Sequence, residues 1–272
     1  MPLPSTTRWA RRVSGFPGTP ALFLGKPRAR TPLVLLLFLV VAAQPGHAQS
    51  RPEYRVAGEI NGLAEGSKVF LIHGGQRRTI DSATVTNGTF VLRGHLPEPA
   101  HTYLHAGRGR RSTKLADILL DNQPLAVKGG APVYDSVRVS GSQIDQQWKA
   151  WLHEDERIGR SRHQLRQVVQ SLRLQHDTAS ARELDRLVGQ LQAVRVRLLK
   201  AYVTRYRDTA AGAALPTLCT LGPSLTGNDY REMYDTLTPA WQQSSFGKEI
   251  LAQARKKGTA PTAAPQREAR GR

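Results

Sequence analysis

The chain of 272 residues has room for at most two ordinary domains, and 39% hydrophobic with 6% aromatic residues is a globular composition with a modest core. Its 39 Lys and Arg against 21 Asp and Glu give a formal net charge of +18, a field that favours nucleic acid, anionic lipid or polyanionic polymers. One cysteine, Cys219, excludes an intramolecular disulfide, a CxxC redox pair and a cysteine-rich zinc site.

Residues 1–48 read as a signal peptide. Arg8, Arg11, Arg12, Lys26, Arg28 and Arg30 precede any acidic residue, and the apolar run "LVLLLFLVVAA" (Leu33 to Ala43) leads to "QPGHAQS", where Gly46 and Ala48 supply a small-x-small cleavage pattern. Cleavage is expected after Ala48. The apolar run falls well short of the roughly 20 residues that a spanning helix needs. Six of the 39 basic residues and none of the 21 acidic ones precede position 49, so a mature chain carries 33 against 21, or +12. Export, to the periplasm or beyond, makes nucleic acid an unexpected partner. An envelope protein or an anionic envelope component is expected instead.

From Glu53 the period is two. "YRVAGEI" sets Tyr54, Val56, Gly58 and Ile60 on one side; "KVFLIH" follows; and "RRTIDSATV" is separated from "TFVLRG" by Asn87-Gly88, a strong hairpin signal. "HTYLHA", "KLADILLD", "PLAVKG" and "SVRVS" complete eight short strands, which predict an antiparallel β-sandwich over residues 49–141. Its exposed edges are candidate contacts for a partner strand. "GRGRR" (Gly107 to Arg111) reads as a hairpin loop, with Arg108, Arg110 and Arg111 as a possible anion contact.

After Gly141 the period lengthens. Ile144, Trp148, Trp151, Ile158, Leu165, Val169 and Leu172 follow steps of three and four, with Asp155 and Arg162 at the intervening seam positions. Leu184, Leu187, Leu191, Val194, Leu198 and Ala201 repeat the pattern after "HDTAS", where Asp177 or Thr178 offers an N-cap. The spacing predicts a long antiparallel helix hairpin with its arginines on solvated flanks. Shorter helices are expected over 210–221, 229–237 and 246–257, bounded by Pro216, Pro223 and Pro239. The fold class is thus α+β: a sandwich, a helical domain over 142–257 and a disordered tail over 258–272.

Catalytic signals are weak. His101 and His105 share strand parity but have no nearby acidic partner for a metal site except Glu98, and "HEDE" at His153 to Glu156 is a charged helical stretch. No G-x-S-x-G elbow occurs. No catalytic residue, metal or cofactor is expected, and Cys219, flanked by Leu218 and Thr220, reads as an inert buried thiol. Asp followed by Ser or Thr and an aliphatic residue recurs five times. It resembles an O-glycosylation sequon with Ser82, Ser136, Thr178, Thr209 and Thr236 as acceptors, although Asp and Thr also cap helices and form turns.

"YRVAGEINGLAEGSKVFLI" (54–72), "DSATVTNGTFVLRG" (81–94), "SVRVSGSQIDQQW" (136–148) and "SSFGKEILAQARKKGTAPTAAP" (244–265) together resemble the domain of unknown function 4369 family. That domain is similar to the N-terminal part of envelope thiol:disulfide interchange proteins, where a β-rich domain and a helical segment precede a thioredoxin-like domain. In those relatives Gly-x-x-Ala-Pro opens the catalytic part. Gly258 with Ala260-Pro261, or Ala264-Pro265, resembles that opening, but no CxxC follows in the sequence. The resemblance therefore implies an exported, non-catalytic accessory or binding module. The alternative is a truncated or split thiol:disulfide oxidoreductase whose thioredoxin-like domain is missing from this chain.

Overall fold

The computed structural model describes residues 52–107 and 112–258; the expected signal peptide over 1–48, the Arg108, Arg110 and Arg111 cluster and the expected tail over 259–272 lie outside them. The alternating segments become eight strands: β1 (Tyr54–Ile60), β2 (Lys68–His73), β3 (Thr79–Thr84), β4 (Thr89–Gly94), β5 (Ala100–Ala106), β6 (Thr113–Leu120), β7 (Pro124–Gly129) and β8 (Val137–Ser140). They form two four-stranded sheets, ordered β4-β1-β7-β8 and β3-β2-β5-β6. Val56, Ile60, Leu92 and Val127 from the first meet Val69, Leu71, Leu104 and Ile118 from the second in one core, which is the expected sandwich. β5 and β6 pair from Ala106 and Thr113 inward.

Two details of the sandwich go beyond the alternation. β1 runs parallel to β7, the one parallel pair among neighbours that are otherwise antiparallel. The period of a strand reports which face is buried, not which strand lies beside it. The Asn87-Gly88 turn forms as expected, both residues at positive φ (50° and 70°), with Thr86 and Thr89 exchanging backbone hydrogen bonds at 2.9 and 3.0 Å. Beyond that bridge its arms part: Val85 turns into the core and β3 and β4 enter different sheets.

The helices are α1 (Gln143–Leu174), α2 (Thr178–Arg205), α3 (Ala210–Leu218), α4 (Gly227–Thr236), α5 (Pro239–Gln242) and α6 (Ser245–Gly258). Ser142 caps α1 and Asp177 caps α2, its carboxylate accepting from Ser180 N–H at 3.1 Å. Pro216 lies inside the buried α3 rather than at its boundary, where it forfeits one backbone hydrogen bond close to the helix end. No helix among the described residues is long and apolar enough to cross a membrane.

On α1 the seam runs where the spacing places it, through Trp148, Trp151, Asp155 and Val169. On α2 it does not. Leu187 and Ala201 are exposed, and the buried line runs through Ala181, Val188, Leu199, Tyr202 and Val203. Arg195 lies on that line, its side chain turned inward to 11% exposure to meet Asp155, against the expectation that the arginines occupy solvated flanks.

A second core gathers Trp148, Trp151, Leu199, Val203, Leu215, Met233 and Ile250, and it includes Leu119 of β6. The helices therefore dock on the outer face of the second sheet. Burying Leu119, Trp148 and Trp151 at that seam contributes on the order of 2 kcal/mol or more each, so sandwich and helices support one another.

Candidate functional site

Where α1 leaves β8 and crosses β6, three aspartates are fixed in turn. Asp145, in the first turn of α1, is fully buried; one carboxylate oxygen accepts from Leu119 N–H at 2.9 Å and the other from Lys149 Nζ at 2.6 Å. It occupies a backbone position on the outer edge of β6, so that edge is not open at Leu119 to a partner strand. Burial pushes its pKa up, and the Lys149 charge and the Leu119 bond pull against that shift.

Asp117 of β6 sits beside the outward row of β5 formed by His101, Tyr103 and His105. Its carboxylate accepts from Lys114 Nζ at 2.6 Å and Tyr134 OH at 2.8 Å, and lies 3.5 Å from His101 Nε2. Burial alone would raise its pKa, but His101, Lys114 and Tyr134 outweigh it and hold the group at about 2. Lys114 Nζ also lies over the rings of Tyr103 and Tyr134, at 4.8 and 4.9 Å. The His101 ring meets Trp148 edge-on at 5.3 Å, so this histidine is an interface residue.

Asp155 is the third. It receives Arg195 Nε and Nη2 at 2.7 Å each, and Arg195 Nη2 also donates to Thr220 Oγ1 at 3.1 Å. This bidentate pair ties α1 to α2 and to the residues after α3.

Between these anchors a cleft of about 1030 Å³ runs along α1, walled by β6 and β8 on the sandwich side. Leu152, Val139 and Trp148 line it together with Tyr134, Lys149, His153, Arg138 and Arg162. A smaller hollow of about 530 Å³ lies between β2, β5 and α6, with His73 and Glu98 on its walls; burial, then Arg78 and His101, lower the His73 pKa. Among the described residues no three His, Cys, Asp or Glu side chains are grouped to hold a metal.

Cys219 follows α3, half-buried, with Sγ donating to Pro216 O at 3.4 Å. Burial pushes its thiol up to about 11, and the Asp155 charge adds to the shift. Of the sequon hydroxyls, Ser82 and Thr178 are exposed. Ser136 donates to Ala131 O, Thr209 Oγ1 lies 3.0 Å from both Tyr206 O and Gln147 Oε1, and Thr236 donates to Glu232 O. Those three are engaged in holding a turn or helix end.

Sequence reasoning missed Asp117, Asp145, Tyr134 and Arg195 as site residues. The local signals were the four-residue spacing of Asp145 and Lys149 and the three-residue spacing of Lys114 and Asp117; the bonds of Asp145 to Leu119, Asp117 to Tyr134 and Asp155 to Arg195 join residues 17 to 40 positions apart.

Residues 54–148 match the family described as domain of unknown function (DUF4369). The match spans the sandwich and the first turns of α1. No curated protein matches the chain.

Proposed function

We propose that the chain is an exported, non-catalytic accessory or binding module of the bacterial cell envelope, with the cleft along α1 as its binding surface. The observation that carries this reading is the state of the lone sulfhydryl. Thiol exchange begins with a thiolate, and a pKa near 11 leaves Cys219 almost wholly protonated at neutral pH. Asp117, Asp145 and Asp155 are each committed to cations already, an arrangement suited to holding a shape. Insulin reduction by the purified protein and by Cys219→Ser is expected to show no turnover in either. Turnover that disappears in Cys219→Ser refutes the reading. The exported form is expected to begin at Gln49, and intact mass of native protein tests both that start and any glycan on Ser82 or Thr178.

A second reading is a truncated or split thiol:disulfide oxidoreductase whose thioredoxin-like part is missing from this chain. It draws support from the end of α6, where Lys257 Nζ donates to Leu225 O at 2.8 Å and also to Gly222 O. The last turn of α6 is thereby fastened to the residues between α3 and α4. An in-frame, CxxC-bearing continuation in the DNA beyond Arg272 would favour this reading.

A further inference from the structure

The cleft holds one charge that the fold leaves unanswered. Arg162 takes a seam position on α1, where an apolar side chain would continue the line of Ile158 and Leu165. Its Nε is buried and has no hydrogen-bond partner among the described residues. Arg166 and Arg195 are near enough to repel it, and burial acts in the same direction. The carboxylates at this end of the cleft are occupied: Asp155 is bidentate with Arg195, and Glu156 lies 3.5 Å from Arg160. Asp155 is thus taken up by Arg195, and the buried Nε–H of Arg162 is a cationic donor without an acceptor, which is costly.

Toward the start of α1 the same cleft is lined by Trp148 and Leu152, with Val139 of β8 facing them across it. Ten to fourteen residues of helix separate this stretch from Arg162, about 15–20 Å along the axis. The cavity volume suits a medium-sized organic ligand, apolar at one end and matched to an anion at the other.

We infer that the cleft binds an amphiphilic anion, its carboxylate or phosphate taken by the Arg162 fork and its apolar body laid along Leu152, Val139 and Trp148. A planar carboxylate or a phosphate can accept two parallel N–H bonds from one guanidinium, which a water cannot. This rests on the cleft's being the binding surface, and the test separates the two ideas.

The probes are anilinonaphthalene sulfonate and its neutral counterpart N-phenylnaphthylamine, titrated by fluorescence into wild type, Arg162→Gln and Arg166→Gln. Wild type is expected to bind one sulfonate dye, at least tenfold more weakly in Arg162→Gln and within twofold of wild type in Arg166→Gln, while the neutral dye is held equally by all three. Dodecanoate or dodecyl phosphate is expected to displace the sulfonate dye where inorganic phosphate at equal concentration does not, and whichever displaces better identifies the head group. Equal sulfonate affinity in wild type and Arg162→Gln overturns the inference, as does displacement by inorganic phosphate alone. Binding of the neutral dye only overturns the anion while sparing the cleft, and binding of neither dye overturns both. Circular dichroism of each variant excludes loss of fold as the cause.

Discussion

Truncating Asp155 to alanine is expected to destabilise the protein by about 3–5 kcal/mol, the range for removing one member of a buried ion pair. Both side chains are largely buried, at 5% and 11% exposure, and two bonds of 2.7 Å join them. Two opposite charges about 4 Å apart at an effective dielectric near 20 attract by about 4 kcal/mol, and the alanine variant would leave Arg195 facing Arg162 with no carboxylate between them. The loss therefore belongs mainly to the stranded charge. Replacing both partners with apolar residues, Asp155→Leu with Arg195→Met, is expected to return stability to within about 1 kcal/mol of wild type or above it. Urea unfolding of wild type, Asp155→Leu, Arg195→Met and the double variant, followed by tryptophan fluorescence and far-ultraviolet dichroism, measures the coupling directly. A single variant that loses less than about 1 kcal/mol, or a coupling near zero, would refute the reasoning.

Asp117→Asn is expected to cost about 2 kcal/mol at neutral pH, since a folded pKa near 2 against an ordinary value of 3.8 is worth about 1.4 kcal/mol per unit. The folded value lies below the unfolded one, so that stability is present above pH 4 and fades as pH falls from 4 to 2; a gap between variant and wild type that ignores pH in this window would contradict the assignment. Gly58→Ala would put a Cβ 2.0 Å from the Phe90 ring, and a loss of about 1–3 kcal/mol is expected from the displaced ring, read as a lowered melting midpoint. Iodoacetamide should alkylate Cys219 at pH 8 at least about a hundredfold more slowly than a free thiol, because the thiolate fraction falls with the raised pKa, and urea should restore the ordinary rate. A native rate equal to that of free cysteine would show an accessible, activated sulfur.

The sandwich could be read from β1, where Tyr54, Val56 and Ile60 alternate with Arg55 and Glu59, and from the Asn87-Gly88 turn, because both signals are local. The α1 seam was legible for the same reason. The α2 seam slipped because the eye passes over a charged residue: Arg195 looks like a solvated flank until Asp155, forty residues earlier, is brought against it. The parallel neighbourhood of β1 and β7 leaves no mark in either strand. Asp145 looks like an ordinary complement to the dipole at a helix start, and nothing near it in sequence announces Leu119. The cleft is made by docking helices on a sheet, so its walls come from β6, β8, α1 and α2 together, and no short stretch could have displayed it.

The contact between Asp145 and Leu119 also fixes where the sandwich can be cut. The change of period at Gly141 suggests a boundary there, yet the family match continues to Trp148, taking in the carboxylate that closes β6 and the indole that covers its outer face. A fragment ending at Gly141 would expose a hydrogen-bonding rim and a greasy wall at once, inviting copies to stack edge to edge. The smallest portable form of this β-unit carries its own helical stopper.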